Sequence, residues 1–178
     1  LVGSEMCIRD RPRPSFFYIF LFHGVANVKI TLMEAKSIIT PIGNFNSFYV
    51  NSLLVKLSYI GQQHSSYFPD TSLQKVINHF FSKQGLKSFP KYFLQGTPFQ
   101  LKLWETLSTI PRGRTESYSS LASMIGSPGA ARAIGTACRL NPLPLLIPCH
   151  RVIKQDGSTG EFALGKINKE YLLRMESA

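Results

Sequence analysis

Residues 37–61, SIITPIGNFNSFYVNSLLVKLSYIG, fall into three β-leaning runs separated by Pro41-Ile42-Gly43 and Val50-Asn51-Ser52, whereas from Thr97 onward apolar residues recur at helical spacing. A chain that changes period in this way is expected to build a small antiparallel meander first and a packed set of helices after it. Between the two, SLQKVINHFFSKQG carries Leu73, Val76, Ile77, Phe80 and Phe81 at helical spacing and is expected to stop at Gly85. His79 on that helix is read as structural. The connector LKSFPKYFLQG contains Pro90 and Gly96, so the boundary between two lobes is placed there.

In the second half, Thr97 and Pro98 serve as N-cap and first-turn residues for a helix that places Phe99, Leu103, Leu107 and Ile110 on one face. Two shorter helices follow, joined by Gly126-Ser127-Pro128-Gly129, a spacing that fits a helix-turn-helix. The second of them, GAARAIGTACR, is crowded with Gly and Ala, so its backbone can come close to a packed neighbour or to the wall of a DNA groove. Arg132 is a long cation with little around it to hold it in a core.

The chain has 178 residues, enough for one ordinary domain or two small lobes, and its formal charge of +10 favours a polyanionic partner. Locally the bias is stronger. Between Arg112 and Lys154 the basic residues are Arg112, Arg114, Arg132, Arg139, Arg151 and Lys154, against Glu116 alone. Cys7, Cys138 and Cys149 are odd in number, with no CxxC pair and no zinc-ligand spacing, which points to a reducing, cytoplasmic setting with neither a disulfide framework nor a metal site. The run FFYIFLF, Phe16 to Phe22, is too short to span a bilayer, and no clear small-residue cleavage site follows it. The first 32 residues differ in character from the rest, and SEMCIRDR resembles translated adapter or upstream untranslated sequence, so Met33 is expected to be the natural start. The expected division is a non-native or disordered extension over 1–32, a sheet lobe over 33–92 and a helical lobe over 93–178.

The stretch LLIPCHRVIKQDG sets Cys149 between Pro148 and His150 at the end of an apolar run. A free thiol has a pKa of about 8.5 and reacts weakly near neutrality unless a cation, a base or a helix terminus favours the thiolate. His150 is the adjacent base. Side chains of neighbouring residues in a strand point to opposite faces, so the pair needs a turn or a water molecule to communicate. Pro148 is expected to end a strand over Leu143 to Ile147 and supply that turn. Cys138, in the Ala-rich helix with no base beside it, is expected to be a packed small hydrophobe.

From Gly96 to the C-terminus, and most specifically in NP…IPCHRV, the chain resembles the catalytic, DNA-binding domain of the O6-alkylguanine-DNA alkyltransferases. The meander is similar to the ribonuclease-H-like N-terminal lobe of that family, and together the two likenesses cover roughly Ala35 to Glu176. The resemblance implies an α+β, two-lobe protein: a small ribonuclease-H-like antiparallel sheet lobe, then a mostly helical DNA-binding lobe with a helix-turn-helix. It implies that Cys149 accepts an alkyl group from O6 of a damaged guanine, or from O4 of methylthymine, in one irreversible turnover without a cofactor. His150 would take the thiol proton through a water, Glu176 would orient His150, Asn141 would brace the turn presenting Cys149, and Tyr118 would donate to the departing guanine.

The same likeness implies that the base is flipped out of duplex DNA into a pocket of Tyr118, Pro144, Val152, Phe162 and Ala163, with Arg132 filling the gap in the stack. Ala131 and Gly135 would press on the minor groove, with Arg139 and Arg151, and Arg114 beside them, as candidates for phosphate contacts that are largely independent of sequence. A monomer is the expected state. In TGEFALGK the chain departs from the common family pattern: Ala163 has no hydroxyl to hold O6 and Leu164 is bulkier than Gly, so methyl is expected to be handled better than benzyl. The competing readings are a lesion sensor that binds without transfer, a Cys-His-Glu hydrolase, which would turn over, and a transcription regulator using the helix-turn-helix alone.

Overall fold

The computed structural model describes residues 18–20, 31–82 and 89–177. A four-stranded antiparallel sheet runs in sequential order: β1 (Tyr18–Phe20), β2 (Thr31–Ile38), β3 (Asn44–Val50) and β4 (Leu53–Gly61). β3 and β4 are joined by the two-residue turn Asn51-Ser52, both with positive φ (49° and 63°), the backbone geometry that matches the twist of a tight hairpin. Gly43, at φ 125° between β2 and β3, sits so close that a Cβ would lie 2.8 Å from the Gly61 carbonyl oxygen and from the Tyr59 ring. The expected meander and both of its turns are present. Of the extension expected over 1–32, Tyr18–Phe20 and Thr31–Leu32 lie among the described residues, and Tyr18–Phe20 pair with Thr31–Met33 at the sheet edge.

One sheet face carries Ile38, Phe45, Leu54 and Leu57 and is covered by α1 (Thr71–Phe81), which buries Leu73, Ile77 and Phe80. Asp70 fixes the entry to that helix. Its carboxylate accepts from the Leu73 N–H (3.0 Å) as an N-cap, from the buried Ser47 hydroxyl (2.8 Å) and from the Tyr49 hydroxyl (2.5 Å), so one side chain ties helix to sheet. The helix ends at Ser82, before the expected Gly85, because the Ser82 N–H and hydroxyl turn back onto the last carbonyls, His79 O among them.

α2 (Pro98–Thr109) begins with a full capping box between Thr97 and Gln100 and buries Leu103, Trp104 and Leu107. The Trp104 indole N–H donates to the Ala137 carbonyl (3.0 Å), locking α2 to α4 (Ala131–Arg139). Before it comes α3 (Tyr118–Met124), and the expected glycine turn separates the two. β5 (Glu116–Ser117) pairs in parallel with β6 (Val152–Ile153), and α5 (Lys166–Ser177) closes the described chain. One continuous buried cluster runs from Ile38 and Phe45 through Trp104 and Ile134 to Leu172. Sheet and helices therefore share a core.

Asp70→Ala removes the cap and leaves two hydroxyls without their acceptor, so a loss on the order of 2–3 kcal/mol is expected in urea unfolding, with the m-value unchanged. Ser47→Ala, which removes one donor and leaves Asp70 satisfied by two others, should cost distinctly less.

Candidate active site

The expected strand over Leu143–Ile147 does not form. Asn141 folds the segment into a turn instead: its side-chain oxygen accepts from the Leu143 N–H (3.0 Å), its amide nitrogen donates to the Ile147 carbonyl (2.8 Å), and the Ile147 N–H returns to Leu143 O (2.9 Å). Leu145, 1% exposed, takes a positive φ of 74° at the crest of this turn, a backbone state unfavourable for a side chain of its size, held here by packing. The same Asn141 amide donates to Cys149 Sγ (3.0 Å). Cys149, His150 and Arg151 then form one turn of 3-10 helix, so Cys149 and His150 are not in the extended arrangement that would turn them to opposite faces.

Cys149 and His150 are both buried, at 4% and 0% exposure. His150 Nε2 lies 3.0 Å from Glu176 Oε1, supplied by the last turn of α5. Glu176 is also gripped by Arg151, whose Nε donates to Oε2 (2.8 Å) and Nη2 to Oε1 (2.7 Å), while Nη1 donates to the Ile110 carbonyl. Burial would raise the Glu176 carboxyl, but the bonds from His150 and Arg151 outweigh it and hold its pKa at about 2. Burial likewise dominates at His150 and lowers its pKa, against the pull of the carboxylate, so the ring is neutral near pH 7. With Nε2–H given to Glu176, Nδ1 is the free lone pair, and it has no protein partner among the described residues.

Lys169, also 0% exposed, is a residue that nothing in its sequence neighbourhood marks. Its ammonium is held by the carbonyls of Thr159 and Glu161 and lies 5.9 Å from the centre of the Tyr118 ring. Burial pushes the Cys149 thiol up; the Asn141 N–H and the Lys169 charge pull it the other way. Tyr118 is raised by burial and by the two nearby thiols, Cys138 and Cys149, which keeps its proton on the phenol. Cys138 is packed in the core, as expected.

Of the expected pocket residues, Phe162 stands edge-on to His150 (6.4 Å, 71°) and Ala163 is exposed, whereas Pro144 and Val152 are buried beneath the site. Arg132 and Arg139 are exposed on α4, with no acidic partner among the described residues, and Ala131 and Gly135 are half-buried on the same helix. Arg151 departs from the expected phosphate contact. Its side chain is 12% exposed and committed to Glu176, so it serves the interior.

A buried thiol with an amide donor on sulfur, followed in the chain by a neutral imidazole bound to a carboxylate, defines a protein that works through a cysteine nucleophile. The family profile described as 6-O-methylguanine DNA methyltransferase, DNA binding domain, matches residues 98–178. A methylated-DNA–protein-cysteine methyltransferase of Mycobacterium tuberculosis H37Rv is 33% identical over 155 residues, covering 83% of this chain and 94% of that protein. The crystal structure of Mycobacterium tuberculosis OGT in complex with DNA superposes with a TM-score of 0.72 at 34% identity, over 80% of this chain and 92% of that one. The like-named Shigella flexneri protein is 51% identical over 81 residues, 46% of this chain and 47% of its own length. The chain belongs to the methylated-DNA–protein-cysteine methyltransferase family.

Arg151→Met leaves the buried Glu176 charge with His150 and the distant Gly113 N–H and no cation, and a loss on the order of 3 kcal/mol is expected at pH 8. The sign with pH follows from the ring. In the parent the folded-state His150 pKa is lowered, so stability is lost as pH falls through the ordinary imidazole value of about 6.5. In the variant the unneutralised carboxylate raises it, so stability is retained below that value and lost above it. The gap between parent and variant in urea unfolding should therefore narrow from pH 8 to pH 5.

Proposed function

We propose that this protein repairs DNA by moving an alkyl group from O6 of guanine onto Cys149 in a single, irreversible turnover. The observation that carries the reading is the connected set Asn141–Cys149–His150–Glu176, in a chain whose relatives are named for this transfer. Nδ1 of His150 takes the Cys149 proton through a water, and Glu176 keeps the ring oriented with that lone pair free. The thiolate sulfur then attacks the alkyl carbon, a C–S bond forms, the C–O6 bond breaks, and its electron pair leaves with guanine. Tyr118 supplies a proton to the departing base, so that it leaves neutral; the thiol proton taken by His150 balances this on return to solvent. Lys169, a fixed positive charge near the sulfur, favours the thiolate during the step. Asn141 keeps the sulfur on its turn. The product is a thioether, which no group of the site can cleave.

On this reading residues 33–92 form the ribonuclease-H-like lobe, to whose sheet Tyr18–Phe20 and Thr31–Leu32 add, and 93–178 the catalytic, DNA-binding lobe. The protein acts as a cytoplasmic monomer. α3 and α4 form the helix-turn-helix, with α4 against the minor groove of damaged duplex DNA. There Ala131 and Gly135 allow close approach, Arg132 fills the place of the flipped base, and Arg139 meets phosphate, in binding largely independent of sequence. Tyr118, Phe162 and Ala163 are the pocket residues with surface to offer the base. The relative solved in complex with DNA supports a nucleic-acid partner.

Incubation with a duplex holding one O6-methylguanine should add one methyl group to the intact mass, saturating at one per molecule and mapping to Cys149, with Cys149→Ser inert and Cys138→Ser active. The benzyl analogue should react more slowly, since Leu164 is bulkier than glycine and Ala163 offers O6 no hydroxyl to hold the larger substrate in place. Turnover beyond one equivalent would point to a hydrolase, and lesion-selective binding without adduct to a sensor.

A further inference from the structure

Two helices end at the same arginine. The Arg112 Nη1 donates to the carbonyl of Phe80 (2.9 Å) in the last turn of α1, and Nη2 reaches the carbonyl of Met175 (3.4 Å) in the last turn of α5. Both carbonyls lie in last turns, where intrahelical donors run out, and both are negative ends of helix dipoles, so one guanidinium satisfies two orphan acceptors from the two halves of the chain. Arg112 has no carboxylate partner among the described residues.

What the two carbonyls are attached to gives this contact a consequence. The Phe80 ring is buried and stands perpendicular to the His150 imidazole, with centroids 5.9 Å apart. Met175 immediately precedes Glu176, and the neighbouring Gly113 N–H points at Glu176 Oε2 (3.5 Å). A Cβ on Gly113, at φ 73°, would lie 3.0 Å from the Glu176 carbonyl oxygen, so the 112–113 turn sits directly against the end of α5. Arg112, Phe80, Pro148 and Arg151 also line a cavity of about 380 Å³, so a shorter side chain at 112 would open the clasp to solvent.

We propose that Arg112 is a positioning residue: it clasps α1 to α5 and thereby fixes the dry ring edge of Phe80 on His150 and the carboxylate of Glu176 beneath it. The proposal rests on the proton-acceptor role given to His150 above, and it assigns the sheet-covering helix α1 a direct part in that role. The groups acting on the imidazole are Glu176 and Lys169 from α5, Arg151 and Cys149 from its own turn, and the uncharged rings of Phe80 and Phe162. Of these, the Phe80 ring is the one contributed by the amino-terminal half. Its effect is to exclude water, and excluding water keeps the ring neutral.

The test uses the full chain and chloroacetamide as the probe, since alkylation of Cys149 by it needs neither DNA nor a damaged base. Rates are read from intact mass across pH 5–9 in a Cys7→Ser, Cys138→Ser background, which leaves Cys149 as the one thiol. Arg112→Met should slow modification about tenfold at neutral pH and displace the acid limb of the profile upward, as expected when a proton-relay pair loses its alignment. Arg112→Lys, which keeps a donor and a charge, should recover most of the rate. Phe80→Leu, which shortens the apolar cover over the imidazole and lets water reach it, should displace the same limb. Parent-like pH profiles in Arg112→Met and Phe80→Leu, with only the melting temperature lowered, would overturn the proposal. If Arg112→Met does not fold, the Phe80→Leu profile decides alone. Because methyl transfer from damaged duplex is measured separately, a protein that alkylates with the expected profile but never accepts methyl would refute the repair function and leave the clasp standing.

Discussion

The Glu176 carboxylate, buried at the end of α5, is the contact on which the rest of the site depends. Two Arg151 donors and the His150 Nε2–H converge on its two oxygens, and the Gly113 N–H approaches one of them. A buried carboxylate with fewer partners would take up a proton or carry a large desolvation cost. Here the bidentate guanidinium neutralises it, so it can orient the imidazole without drawing a proton onto it. The opposite arrangement, a lone carboxylate beside His150, would make an ion pair of the two and remove the base that the transfer requires.

The fold is arranged to hold that contact still. β4 donates from the Leu57 N–H to the Pro142 carbonyl (2.8 Å), beside Asn141, and the Asn168 amide of α5 donates to the Tyr59 hydroxyl (3.0 Å). The amino-terminal sheet thus touches both segments that supply the site, the Asn-Pro turn and the last helix. The unfavourable φ of Leu145 fits the same pattern: a turn whose local geometry costs energy is kept because the side chain is buried and Asn141 bonds across it. α4, tied to α2 on its inner side, presents small residues and the cations Arg132 and Arg139 outward.

Much of this was legible in the sequence. Period, turn residues and caps located the meander, α2 and the α3–α4 pair, because each rests on local chemistry: Asn51-Ser52, Thr97 with Pro98, and Gly126 with Gly129. The cysteine, its histidine and Asn141 lie in the nearly contiguous NP…IPCHRV, whereas Glu176 came with the wider family resemblance and not from spacing. What escaped were effects that arise only in three dimensions. An apolar run, Leu143–Ile147, read as a strand, but a side-chain amide displaced the backbone pairing that a strand would need. Arg151 read as a surface cation because nothing in HRV reveals a carboxylate 25 residues on. Arg112 read as part of a basic stretch and Lys169 drew no reading, and their roles depend on carbonyls that only the fold brings near. The charge of the chain therefore divides into an exterior set suited to a polyanion and an interior set that supports the site.

The central claim is that His150 is a neutral base whose Nε2–H is given to Glu176. Nitrogen-detected NMR of the full chain with labelled histidine, compared with His150→Gln for assignment, reads both tautomer and charge. The account predicts a His150 ring protonated at Nε2 alone at pH 7 and resisting protonation well below the ordinary imidazole range. An imidazolium at pH 7, or a ring protonated at Nδ1 with Nε2 bare, would contradict it.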